Sequence, residues 1–167
     1  NEPATDLATV SAALDALPVM GGEDWSESGV EALSVLAGGP GTPYVAEPMA
    51  CSAGRLAGGC WRSGAVRVIV VFTDATNHNG PDPSSDALYD PYEGITPAPA
   101  EWPAVAVSLS AGGFGLFVRH PTPDWWYPDP AAQCAEMVTD LGQPASQVGD
   151  FADLTTLTAA VQAFVGW

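Results

Sequence analysis

Two kinds of hydrophobic pattern alternate along the chain. Leu7, Val10, Leu14 and Leu17 recur at helical spacing, and Thr5 or Asp6 can cap the start. This predicts a helix over residues 5–17, closed by Pro18 and the Gly21-Gly22 pair. Val30, Leu33 and Leu36 predict a second helix over 28–37, with Gly38-Gly39-Pro40 as its stop. Residues 66–72 form a nearly unbroken β-branched and apolar run. That pattern predicts a strand buried on both faces, as in a parallel sheet. A helix over 102–110 ends at Gly112-Gly113, and a strand follows at 114–118. A helix over 131–141 and a short strand at 146–148 come next. In the last helix, 154–165, Leu154, Leu157, Val161 and Phe164 or Val165 are expected to face inward.

Alternating helices and strands predict an α/β domain around a parallel sheet, with right-handed crossovers placing helices on its faces. Only three strands are predicted. In such sheets ligands bind at the carboxyl ends of the strands. Asp74, directly after the 66–72 strand, would then share one rim with the loops at 75–100 and 120–129. The first of these carries Asp82, Asp86 and Asp90, whose spacing does not fit an EF-hand loop and reads as a solvated loop. The second carries Trp125, Trp126 and Tyr127, either a ligand platform or packing over the sheet end. Residues 40–65 read as an irregular Gly- and Pro-rich loop, and the chain has no internal repeat.

Charge changes the picture. The 167 residues carry 20 acids and 4 basic residues, all arginine, for a net charge of -16. Such a balance disfavours nucleic acid and anionic membranes and favours cations, or simply a solvated surface. No apolar run approaches the about 18 residues of a membrane span. The chain shows no leader-like segment, as expected of a cytosolic protein or of one whose leader has been removed, and its start at Asn1 suggests a processed or truncated product. Cys51 and Cys60 flank a short Gly-rich stretch and read either as a disulfide, implying an oxidising compartment, or as two free thiols. Cys134 is left over, for a helix interior or for a cysteine outside the chain.

Three features carry a family resemblance. Gly21-Gly-Glu-Asp-Trp-Ser-Glu27, followed by Gly29-Val-Glu-Ala-Leu33, resembles the loop and helix that supply a metal-binding glutamate in integrin-β-like A domains. Val68-Ile-Val-Val-Phe-Thr-Asp74-Ala-Thr-Asn-His78 is similar to their central strand, which ends in Thr-Asp with a histidine shortly after. The order of elements matches everything after the third strand of that fold. The chain therefore resembles the C-terminal portion of a von Willebrand factor A-type domain. The resemblance implies a Rossmann-like three-layer α/β fold with a parallel sheet, incomplete in this chain, so that 1–167 is a single partial domain.

It also implies a metal-ion-dependent adhesion site taking Mg²⁺, Mn²⁺ or Ca²⁺ on hard oxygen ligands. Position by position, Glu27 matches the loop glutamate, Asp24 the acid of an adjoining calcium site, and Asp74 the strand-end aspartate. The opening strand and its Asp-x-Ser-x-Ser turn are missing. A literal match at 24–28 follows Gly-Gly-Glu rather than a hydrophobic strand and is read as coincidence. Asp74 reads alternatively as a helix N-cap, Glu27 as a first-turn acid and Asp24 as a cap.

The expectation is a secreted or cell-surface, non-enzymatic module that binds a protein or glycan ligand, with a divalent cation at the rim. A complementary N-terminal polypeptide of the same fold would complete the sheet, because a half-sheet exposes strand edge and apolar face. His78 and Trp125, Trp126 and Tyr127 are the candidate ligand contacts. One alternative is a structural subunit of an extracellular assembly with a degenerate metal site. A second is a secreted hydrolase using His78 or His120, although neither has a nucleophile pattern beside it.

Overall fold

The computed structural model describes residues 7–16, 26–38, 51, 55–56, 58–80, 91–92, 94–121 and 130–166. Among these the chain is a mixed α/β structure built on a parallel sheet of three strands. The helices are α1 (Leu7–Asp15), α2 (Gly29–Ala37), α3 (Trp102–Gly112), α4 (Pro130–Asp140) and α5 (Leu154–Val165). The sheet comprises β3 (Arg67–Phe72), β4 (Phe114–His120) and β5 (Val148–Asp150), in that order. A 3-10 turn at Ala145–Gln147 leads into β5. The region expected to be irregular also holds a two-residue antiparallel ladder, β1 (Arg55–Leu56) with β2 (Trp61–Arg62). Such short pairings are set by the turn between them and leave no periodicity to read.

Glycine punctuates the helices as the sequence predicts. Gly38 closes α2 with φ +97°, and Gly113 closes α3 with φ +66°. Each donates its N–H to carbonyls of the last turn. Asp153 caps α5 by accepting the Thr156 N–H at 3.0 Å.

Register fixes which side chains share a face. Val68, Val70 and Phe72 pair with Gly115, Phe117 and Arg119, while Arg67, Ile69 and Val71 pair with Phe114, Leu116 and Val118. The second set is the core side. Ile69, Phe114, Leu116 and Val118 pack there with Val30 and Leu33 of α2, Trp102, Val105 and Leu109 of α3, and Cys134, Met137 and Val138 of α4. The first set is covered by α5, where Phe164 lies edge-on to Phe117 with the ring centroids 5.8 Å apart. Phe164 also rests on Gly115, where any Cβ would collide with its ring.

That coverage stops short of β3, and the molecule departs from the sequence pattern in two places. Residues 66–72 were expected to be buried on both faces. Instead Val66 and Phe72 are each 57% exposed and Val70 is 38% exposed, because α5 lies over β4. The strand buried on both faces is β4, all seven residues of it. The inward face expected of α5 is likewise not sealed. None of its residues is fully buried, and Leu154 is 56% exposed. Among the described strands β3 is an edge of the sheet.

Cys51 and Cys60 form a disulfide, with their Cα atoms 5.3 Å apart. Cys134 is a buried thiol inside α4. No helix among the described residues is long and apolar enough to cross a membrane.

Candidate functional site

The carboxyl end of β3 runs straight into a buried polar segment. Thr73, Thr76, Asn77, His78 and Asn79 are all buried, whereas Asp74 between them is exposed. The turn begins at Thr73. Its Oγ1 donates to Ala75 O at 2.7 Å, and its N–H donates to Arg119 O on β4 at 3.0 Å. No helix starts at Asp74, so the N-cap alternative for this residue is removed. Its carboxylate stands at the strand terminus, open to solvent.

The segment carrying Glu27 is stitched to this turn as a parallel bridge. The Glu27 N–H donates to Thr76 O at 2.7 Å, and the His78 N–H donates to Glu27 O at 2.8 Å. The Glu27 side chain is exposed, two residues ahead of α2. The acid in the first turn of α2 is Glu31, whose Oε2 accepts the Ala100 N–H at 2.8 Å. The Glu27 segment and the turn after β3 thus lie side by side, with Ala75 and Thr76 between Asp74 and the bridged Asn77.

Buried amides hold that rim in place. Gln133, on α4, accepts at Oε1 from the Asn77 backbone N–H at 2.6 Å and from Asn77 Nδ2 at 2.8 Å. Its Nε2 donates back to Asn77 O at 3.0 Å. Asn79 Oδ1 accepts the N–H of Trp102 at the start of α3. Each amide replaces a backbone partner that an irregular segment lacks, so the turn is buried without wholesale loss of hydrogen bonds. Around this turn Glu31 Oε1, Thr76 Oγ1 and Asn77 Oδ1 are nevertheless buried without a partner.

His78 is buried, and its ring lies 4.3 Å from that of Tyr92, tilted by 33°. His120, at the end of β4, is also buried. Its Nδ1 donates to Pro121 O at 2.7 Å. Asp24, Asp82, Asp86, Asp90, Trp125, Trp126 and Tyr127 lie outside the described residues. Among the described residues there is no cluster of three or more His, Cys, Asp or Glu side chains.

Sequence reading missed Asn77, Asn79, Gln133 and Glu31. One signal was available for Gln133. The buried positions of α4 include 133, 134, 137 and 138, a helical stripe in which one amide replaces an apolar residue. It also missed Arg119, which extends β4 past the predicted end of the strand. Arg119 is fully buried and donates from Nη1 to Val118 O and Gln147 O, both at 2.9 Å. Nε and Nη2 have no partner, and burial pushes the guanidinium below its ordinary pKa, partly countered by the nearby charge of Asp153.

No model of a known family matches the chain, and no curated protein matches it significantly.

Proposed function

We propose that the chain is an extracellular, non-enzymatic protein-binding module of the von Willebrand A type, acting through the rim at the carboxyl end of β3. The observation that carries this reading is the bridge between Glu27 and the Asp74 turn. It sets the Glu27 segment against the turn that follows Asp74, and both acids are exposed; the carboxyl ends of parallel strands are where α/β proteins bind their ligands. Asp74 and Glu27 suit a hard cation such as Mg²⁺, Mn²⁺ or Ca²⁺, with Asp24 as the further acid of this set. A bound cation would offer an open position to an acidic group of a protein or glycan ligand. The roles of this chain's residues are to hold the turn rigid through Gln133 and to keep Asp74 in solvent. The disulfide is compatible with a secreted or cell-surface location.

Calorimetric titration with Mg²⁺, Mn²⁺ and Ca²⁺ tests the reading. Saturable binding that disappears in Asp74→Ala supports it, and the same weak heats in parent and variant reject it.

A second reading, a structural subunit of an extracellular assembly, is favoured by a different observation. The α5 side of β3 is apolar and open, with Val66, Val70 and Phe72 exposed. A complementary polypeptide of the same fold, adding its strands beyond β3, would pair the free edge of β3, and the exposed face would be left for a further element to cover. The two readings are compatible, because the rim and the open face occupy different parts of the strand.

A further inference from the structure

Among the described residues five large apolar side chains stand exposed, and four of them, Val66, Val70, Phe72 and Leu154, belong to β3, its approach and α5. Surface apolar residues are ordinary when scattered, but a contiguous set marks a contact surface. Two of them, Val66 and Val70, border a groove of about 580 Å³ between β3 and α5. Val66 and Val70 line it from the strand, and Leu157, Val161 and Val165 line it from the helix. The helix residues are spaced by four, forming one ridge along α5.

We propose that this groove docks an amphipathic helix from a partner that carries basic residues at the end of its apolar stripe. The inference rests on reading the chain as one part of a larger assembly, and it does not depend on a cation at the rim.

Three arguments select this occupant. A strand added to the free edge of β3 lies in the plane of the sheet, about 4.8 Å away. It therefore leaves the side chains projecting from the face, Val66 and Val70, uncovered. A helix laid beside α5 covers both walls and can interlock with the ridge at 157, 161 and 165. A second copy of this chain is disfavoured because each copy carries a net charge of -16. Local charge points the same way. Asp74 follows β3 and Asp153 precedes α5, both exposed at the same end of the groove, and the arginine on this face, Arg119, is buried. Lys or Arg side chains on the incoming helix would meet those acids.

The test uses the intact chain and hydrocarbon-stapled peptides of about 15 residues, roughly the length of α5 with one further turn. One peptide carries a Leu stripe and Lys at one end. A second has Glu in place of Lys, a third has the same composition with the stripe scrambled, and a fourth alternates Val and Thr as an extended strand. Binding is followed by fluorescence anisotropy and by methyl NMR. The Lys-ended helix is expected to bind and to shift the methyl signals of Val66, Val70, Leu157, Val161 and Val165. Thr158→Lys on the exposed groove wall and Val161→Asp are expected to weaken it about tenfold or more without lowering the melting temperature by much. The Glu-ended helix is expected to bind about tenfold more weakly at low salt. Equal binding of the scrambled peptide, preference for the extended peptide, indifference to both variants, or concentration-dependent self-association that shifts the same methyls would each overturn the proposal. Metal titration of the parent chain without peptide reports on the rim, and peptide binding in metal-free buffer reports on the groove, so failure at one place is separable from failure at the other.

Discussion

The amide of Gln133 clasps Asn77 at three points. Gln133 Oε1 takes the Asn77 backbone and side-chain N–H groups at 2.6 and 2.8 Å, while Nε2 returns a hydrogen bond to Asn77 O at 3.0 Å. Both residues are buried, so no water is at hand to replace a lost partner. Gln133→Ala orphans these groups and leaves a cavity. The expected loss is about 3 kcal/mol of folding stability, measured by urea denaturation. A loss below about 0.5 kcal/mol would mean that the clasp does not hold the turn.

The same clasp makes Gly29 irreplaceable. A Cβ on Gly29 would lie 2.0 Å from Asn77 Oδ1, and Asn77 cannot swing away without releasing Gln133. Gly29→Ala is expected to cost about 2 kcal/mol despite the better helix propensity of alanine. Shortening the neighbour relieves the clash, so Gly29→Ala combined with Asn77→Ala should be less damaging than the sum of the single changes. A double-mutant cycle by urea denaturation gives the coupling, and strict additivity would contradict the contact.

The Cys51–Cys60 crosslink closes a short loop, with a sequence separation of 9. Chain entropy alone gives it about 2–3 kcal/mol. Replacing both cysteines by serine should lower stability by that amount, and dithiothreitol should shift the parent's urea midpoint to match. An unchanged midpoint under reduction would count against the crosslink.

Arg119 is a cation held in the interior with two of its nitrogens unpartnered. Its pKa is depressed by burial, so above the folded-state pKa the unfolded chain binds the extra proton and stability rises with pH. A guanidinium keeps its charge through about pH 5 to 9, so the burial cost is constant there. Arg119→Met is therefore expected to hold stability level or raise it by up to about 3 kcal/mol, with no slope across that range. Thermal melts at several pH values check this. A large loss of stability would mean that the charge is compensated after all.

Much of the framework was legible because it rests on periodicity. The β-branched run before Asp74, the stripe of α3 and the glycine stops at 38 and 113 translate directly into elements. Periodicity identifies an apolar face but not whether anything covers it. Val66, Val70 and Phe72 read as interior residues for that reason, yet they stand in solvent beside α5. The rim was half legible. Asp74 follows from its place after a strand, and the segment of Glu27 does lie beside that turn. The supporting amides were not, because Asn77 and Gln133 are 56 residues apart and meet only once α4 packs against the sheet.

Asp74 and the Glu27 segment are proposed to form one cation-binding rim. Its most direct test is the paramagnetic broadening of backbone amide signals when Mn²⁺ is added to isotope-labelled protein. The amides of Glu27 and of Asp74 through His78 are expected to broaden first, and Asp74→Ala is expected to remove this preference. Broadening spread evenly over the acidic surface, or a pattern unchanged in Asp74→Ala, would contradict it.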